Sequence, residues 1–285
     1  MSMRIFFDES LKTRASFRTG GNADVLALPE SEEDLIFALE KFGSKYVFGN
    51  LSNTLITDGG IRGSVIITTS VKGITSDGEN VTCLCGDTLS SFASFCRDNS
   101  LTGAEFCYGI PGTIGGGVFM NCGAYGGQIS DILTSVKLWS DKKGVFVLTN
   151  EEMDFSYRKS IIQTNPFVVI SASFGLKKGN KAEIGAKMDE LMASRRAKQP
   201  LEYPSCGSTF KRPEGHFAGA LIEQCGLKGY TVGGASVSEK HAGFVINSAN
   251  ATSSDILALV EYIKKTVLEK TGVLLEEEIR VVGER

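Results

Sequence analysis

Apolar positions repeat along this chain with two periods. Leu35, Leu39 and Phe42 fall on one helical face behind Ser31-Glu32-Glu33-Asp34. A serine followed by acids is a capped helix start, and Gly43 stands where such a helix should end. Leu89, Phe92, Ala93 and Cys96 predict a second helix, capped by Asp87 and running through Asn99. Ile184, Met188, Leu191 and Met192 mark a third, which stops before Pro200. A fourth begins near Ser253–Ser254, turns Ile256, Leu257, Val260, Ile263, Val267 and Leu268 inward, and meets Gly272 at its end.

Shorter runs carry the strand signature. Lys45–Phe48, Ser64–Thr69, Val81–Cys85, Phe167–Phe174 and Val273–Val282 are rich in β-branched and apolar residues. Val136–Trp139 and Val145–Leu148 flank D-K-K-G, a hairpin pattern. Lys177–Lys181 reads as a linker. Strands and helices mix without regular βαβ alternation, so the expected class is α+β.

Length and composition narrow the function classes. A chain of 285 residues can hold two or three domains. A net charge of −3 gives no basic surface for nucleic acid or membrane, and no apolar run reaches spanning length. The N-terminal M-S-M-R-I-F-F has no apolar core of a signal peptide, so a cytoplasmic location is expected. Seven cysteines at irregular spacing, without C-x-x-C and with only two histidines, argue for reduced thiols and against zinc; no metal is expected.

The chemistry concentrates in a few stretches. Tyr108–Gln128 contains eight glycines, a density that regular structure tolerates poorly. Backbone without Cβ atoms can approach a ligand closely and aim N–H groups at a pyrophosphate. The stretch is neither a Walker A loop nor a G-x-G-x-x-G fingerprint, and alone it also reads as a structural glycine loop. Gly49-Asn50-Leu51-Ser52-Asn53, a polar turn after a strand, makes a shared phosphate site with it more attractive. Ser156-Tyr157-Arg158 offers a permanent cation, although most arginines are surface ion-pair residues. Pro204–Gly215 presents Ser208 after Gly207 with Lys211 and Arg212 nearby, and lacks the nucleophile elbow of a hydrolase. Gly229–Asn247 contains His241, as well read as a backbone-bonded structural histidine as a ligand contact. Leu274–Arg280 carries Glu276, Glu277 and Glu278, which by pattern alone read as a solvated acidic surface.

Taken in order, R-T-G-G, G-N-L-S-N-T-L, G-I-P-G-T-I-G-G-G-V-F-M-N-C-G-A-Y-G, S-Y-R, C-G-S-T-F-K-R-P, S-E-K-H-A-G-F-V-I-N and L-E-E-E-I-R-V-V-G resemble the UDP-N-acetylenolpyruvoylglucosamine reductases, the MurB flavoenzymes of bacterial wall synthesis. The resemblance spans nearly the whole chain. It implies an FAD-binding portion of two α+β subdomains of the vanillyl-alcohol-oxidase kind (1–72 and 73–180) and a substrate-binding C-terminal domain (181–285). It also implies the shorter subtype, without an extra loop carrying a substrate-binding tyrosine. The implied reaction is reduction by NADPH, through non-covalent FAD, of UDP-N-acetylglucosamine enolpyruvate to UDP-N-acetylmuramate. Arg158 would stabilise the enolate, Glu278 would polarise the carboxylate, and Ser208 would deliver the proton to C2. FAD would lie against Gly49, Asn50, Leu51, Ser52, Asn53 and Leu55, and against Pro111, Gly112, Thr113, Gly115, Gly116, Asn121, Gly123 and Ala124. Substrate contacts would come from Tyr157, Lys211, Arg212, His241 and Asn247. The expected partners are the UDP-sugar and NADPH, with no nucleic acid and no membrane, on a monomer.

Two positions depart from the family pattern. Leu51 stands where G-x-G-S-N has glycine, and a leucine does not take positive φ cheaply, which predicts a rearranged turn or one that never needed the glycine. Cys122 replaces a small alanine and suggests packing rather than redox work. Two rivals rank below the reductase: an FAD-linked oxidase on the same flavin fold, which leaves Ser208 and Glu278 without a role, and a flavin- or nucleotide-binding redox sensor that uses its thiols.

Overall fold

The computed structural model describes residues 2–43 and 45–284, which divide into two compact units. The first unit comprises 1–6, 25–50 and 64–195; the second comprises 7–24, 51–63 and 196–285. The mixture of elements is α+β, as the sequence pattern predicts.

In the first unit the strands Gly144–Thr149, Leu133–Ser140, Val168–Gly175, Asn80–Leu84 and Ile74–Asp77 lie in that order in one antiparallel sheet. The predicted hairpin forms, with Val136 opposite Leu148 and Trp139 opposite Val145. Helices α2 (Leu89–Asp98) and α3 (Ile114–Phe119) supply Leu89, Phe92, Ile114 and Val118 to the core that also buries Val81, Ile170 and Phe174. Phe92 and Phe174 pack with ring centroids 4.5 Å apart, a tilted aromatic pair. Helix α1 (Glu32–Phe42) starts as expected: Ser31 Oγ accepts the Asp34 N–H at 3.1 Å. Gly43 closes it at φ 80°, donating its N–H to Leu39 O.

In the second unit Thr231–Val232, Ala235–Val237 and Val245–Asn247 form an antiparallel meander. Helices α5 (Ala218–Gln224) and α6 (Ser253–Thr271) bury Leu221, Ile222, Ile256, Val260 and Ile263 in the same cluster as Val237 and Ile279. Strand Arg280–Val282 pairs in parallel with Thr54–Ile56, so the end of the chain lies beside a segment more than two hundred residues earlier.

Several sequence expectations need correction. Thr88, not Asp87, caps α2, because Asp87 instead accepts the N–H groups of Gly73 and Leu84 at 2.9 and 3.2 Å. The segment 177–181 is not a free linker: Lys177 and Lys178 pair with Thr102 and Leu101, and α4 (Lys181–Lys198) follows at once. That helix buries Ile184 and Met188 in the first unit's core. Only Arg280–Val282 of the predicted final strand is regular; before it, Glu277 makes a single antiparallel bridge to Phe210. On α6 Leu268 is 44% exposed and Leu259 is buried, because at 3.6 residues per turn Leu259 falls about 60° from Ile256 and Leu268 about 120° from it.

Candidate active site

In the first unit the two glycine-containing turns meet. Asn50 Nδ2 donates to the carbonyl of Pro111 at 3.0 Å, and a Cβ on Gly49 would overlap Thr113 Oγ1. Glycine is therefore required at 49 by the approach of the second loop. Thr113 caps α3 by accepting the Gly116 N–H at 3.4 Å. The N–H groups of Ile114 and Gly115 donate to Asp87 O and Cys85 O, and that of Gly117 to Thr113 O. These donors hold the loop in shape, whereas Pro111 and Gly116 lie open at its surface.

The same unit positions Arg158. Ser156 and Lys159 exchange backbone hydrogen bonds at 3.1 Å, placing Tyr157 and Arg158 at the corner of a tight turn. Arg158 has φ 57°, a left-handed conformation that costs a side-chain-bearing residue about 1–2 kcal/mol. The turn is pinned from beneath. Asn121, 1% exposed and itself at φ 40°, donates to Ser156 O at 3.1 Å and accepts from Ser130 N at 3.0 Å. Gln163 Nε2 bridges Arg158 O and Phe119 O, each at 2.9 Å, and Ser160 Oγ donates to Phe119 O at 2.8 Å. Arg158 Nη2 reaches Gly123 O at 3.0 Å, and its guanidinium lies 5.1 Å from the Tyr157 ring centroid. Gly123 and Ala124 pair with Gln128 and Gly127 around Tyr125-Gly126, both at positive φ as in the primed hairpin turns.

The second unit brings Ser208 and Glu278 together. Thr209 is fully buried: its N–H donates to Gly243 O at 2.9 Å and its Oγ1 accepts the Val245 N–H at 3.0 Å. Its carbonyl accepts the Glu278 N–H at 2.8 Å. Ser208, one residue earlier, is exposed after Gly207, whose φ is 74°. Glu278 is braced from its other side, since Asn53 Nδ2 donates to Glu278 O and Arg280 N–H to Asn53 O, each at 3.0 Å. Of the neighbouring acids, Glu276 pairs with Lys211 and Glu277 with Lys264 at 2.8 Å.

The remaining site candidates fall into clear places. Leu51 and Leu55 are buried in the second unit, with Leu51 at φ 51°, so the turn takes the left-handed conformation without a glycine. Arg212 stacks 3.9 Å from the Phe217 ring centroid. His241 accepts the Gly243 N–H through Nδ1 at 3.1 Å, and burial lowers its pKa. The proton of the neutral ring therefore sits on Nε2, which can donate. Asn247 donates to Phe17 O and accepts from Ala251 N, both at 2.8 Å, so its amide holds the loop. Sequence patterns gave no signal for Asn53, Ser160 and Gln163 as braces, because each bonds a carbonyl made available only by folding.

Some thiols adjoin these residues: Cys206 Sγ donates to Thr54 O at 3.4 Å, and the Arg158 charge reaches Cys122. Burial pushes Cys85, Cys96, Cys122 and Cys206 up to about 12 and raises Cys83 and Cys107 as well. Such thiols are poor nucleophiles at neutral pH.

The chain is similar to known proteins along nearly its whole length. Residues 23–149 match an FAD binding domain, and residues 199–282 match the C-terminal domain of UDP-N-acetylenolpyruvoylglucosamine reductase. A UDP-N-acetylenolpyruvoylglucosamine reductase of Caldanaerobacter subterraneus subsp. tengcongensis is 46% identical over 99% of this chain and 95% of its own. One from Latilactobacillus sakei subsp. sakei is 48% identical over 98% of this chain and 93% of its own. The crystal structure of the Thermus caldophilus enzyme covers 99% of this chain and 100% of its own, at 32% identity and a TM-score of 0.82. With that identity sustained over almost the full length of both chains, this protein belongs to the UDP-N-acetylenolpyruvoylglucosamine reductase family.

Proposed function

We propose that this protein reduces UDP-N-acetylglucosamine enolpyruvate to UDP-N-acetylmuramate, with NADPH as reductant and FAD as bound cofactor, in the cytoplasm and as a monomer. The observation that carries the reading is the placement of Ser208, an exposed hydroxyl one residue from the Thr209 carbonyl that holds Glu278. The turns at Gly49–Asn50 and Pro111–Thr113, joined by the Asn50–Pro111 hydrogen bond with Pro111 and Gly116 open at the surface, suit a phosphate-bearing cofactor. Gly49, Asn50, Pro111, Gly112 and Thr113 would hold its pyrophosphate side. Residues 1–72 and 73–180 would serve the cofactor and 181–285 the substrate. The short path from Arg158 to the strand at Val168 suits the shorter subtype, without an added tyrosine loop.

The chemistry supplied by bound FAD is the relay of hydride from NADPH to C3 of the enolpyruvyl group. As hydride reaches C3, negative charge develops on C2 and the carboxylate. Arg158, permanently charged and fixed by its pinned turn, stabilises that charge where it forms. Glu278 polarises the carboxylate and must carry or share a proton to do so, since an ionised neighbour would oppose the charge. Ser208 then gives its proton to C2, completing the lactyl ether. A serine hydroxyl is a weak acid, so this transfer depends on the firm placement that Gly207 and Thr209 provide.

The test is to follow NADPH absorbance with and without the UDP-sugar substrate. Substrate-dependent oxidation by a yellow protein is expected, with Ser208→Ala retaining flavin reduction by NADPH while product formation falls by orders of magnitude. A protein that cannot be loaded with FAD, or that passes electrons only to oxygen, would refute the reading.

A further inference from the structure

The guanidinium of Arg195, near the end of α4, is half-buried and forms no ion pair or hydrogen bond with another described group. Its stem rests on the glycine stretch. A Cβ on Gly109 would lie 3.1 Å from Arg195 Cδ and 3.8 Å from Nη1, with Met192 Cε at 3.9 Å on the same side. Removal from water lowers its pKa, and the other group whose field reaches it is the phenol of Tyr125 on the 124–127 turn. The other arginines of the first unit with described partners contrast with it: Arg4 pairs with Glu30 and Arg97 with Asp98. Folding a partly desolvated cation beside a glycine loop, with no carboxylate to meet it, is unfavourable unless an anion arrives later.

We propose that Arg195 is an anion-holding residue that binds a nucleotide phosphate against Gly109. The inference deepens the reductase reading and rests on it. A planar guanidinium presents paired N–H donors that match two phosphate oxygens at once, and the absence of a side chain at 109 lets the Arg195 stem lie along the glycine stretch and bring Nη1 beside it. Three phosphates are available to the proposed reaction: the FAD pyrophosphate, the NADPH 2′-phosphate and the diphosphate of the UDP-sugar. They share one chemistry, and one set of measurements separates them.

The experiment compares wild type with Arg195→Met, which keeps the apolar stem and removes the charge, and with Arg195→Lys. FAD release from the holoenzyme is followed by flavin fluorescence, KM is measured for NADPH, NADH and the UDP-sugar, and melting temperature is recorded. The expected result is that Arg195→Met weakens one of these constants roughly ten- to hundredfold, the loss of a charge-assisted pair. Faster FAD release assigns the cofactor pyrophosphate. A higher KM for NADPH with NADH unchanged assigns the 2′-phosphate. A higher KM for the UDP-sugar alone assigns the diphosphate. Arg195→Lys should recover part of the loss, and the melting temperature of Arg195→Met should not fall. If all constants stay within about twofold, or if they weaken with stability and Arg195→Lys recovers none of the loss, Arg195 is a packing residue and the proposal is overturned. A wild type that neither holds FAD nor turns over the UDP-sugar fails the reductase reading itself, a different outcome from a working wild type that Arg195→Met leaves unchanged.

Discussion

Replacing Leu51 tests which of two opposed effects controls the turn at Gly49–Asn53. Leu51 has φ 51° and is 4% exposed, so its backbone is strained while its side chain is buried. Left-handed geometry costs a non-glycine residue about 1–2 kcal/mol, which Leu51→Gly would relieve. Against that stand the loss of a buried leucine, about 3 kcal/mol or more with the cavity left behind, and the extra freedom of glycine in the unfolded chain, about 0.5–1 kcal/mol. Burial wins, and Leu51→Gly should destabilise the protein by roughly 2 kcal/mol. Leu51→Ala removes almost the same buried surface but keeps a Cβ at positive φ. It should therefore be the less stable of the two, by about 0.5–1 kcal/mol. That order reverses the usual preference for alanine over glycine. Urea unfolding followed by circular dichroism measures all three proteins. If Leu51→Ala is at least as stable as Leu51→Gly, or Leu51→Gly exceeds wild type, the account of the turn is wrong.

Three further outcomes follow from the same geometry. Asn121→Ala leaves Ser156 O and Ser130 N without their buried partner and should cost about 2–4 kcal/mol in urea unfolding; an unchanged midpoint would mean that the Arg158 turn is held elsewhere. His241 has a folded-state pKa below its usual 6.5, so as pH falls the unfolded chain takes up the proton more readily. Its stabilising effect is complete above about pH 6.5 and is lost as pH falls through the folded value, so His241→Gln should flatten the stability profile below that point, and an unaltered slope would remove the assignment. With Cys83, Cys85, Cys96, Cys107, Cys122 and Cys206 raised by burial, these six thiols should react slowly with a thiol reagent at neutral pH in the native protein and quickly once it is unfolded; a fast-reacting native cysteine among them would revive the redox-sensor reading.

Helices with one apolar face and a terminal signal were legible in the sequence, because both depend on residues close in the chain. Ser31 and Gly43 bound α1 as read. Asp87 misled because an aspartate before a helix can equally accept N–H groups from a neighbouring turn, as it does from Gly73 and Leu84. Lys177–Lys181 looked like a linker because an exposed edge pair needs no apolar alternation. The candidate residues were proposed through family resemblance rather than residue pattern. Nothing local distinguishes Glu278 from Glu276 and Glu277; folding does, by placing the Glu278 N–H on the Thr209 carbonyl beside Ser208.

The braces explain why so few of the proposed site's determinants carry a local signature. Arg158 and Glu278 lie outside the long helices and broad sheets, and each is held by side-chain amides, nearby Gln163 and distant Asn121 for the arginine turn and Asn53 for the glutamate. An amide side chain can donate and accept at once, so one buried asparagine fixes two backbone segments that no regular ladder joins. At Arg158 this bracing also offsets the strain of positive φ, which an unsupported turn would release by moving the guanidinium. A short irregular loop can thereby place a functional group as firmly as a strand does. The consequence is that changes at Asn121, Gln163 or Asn53 should lower turnover through lost placement, and conservative substitutions at Arg158 or Glu278 cannot compensate for them.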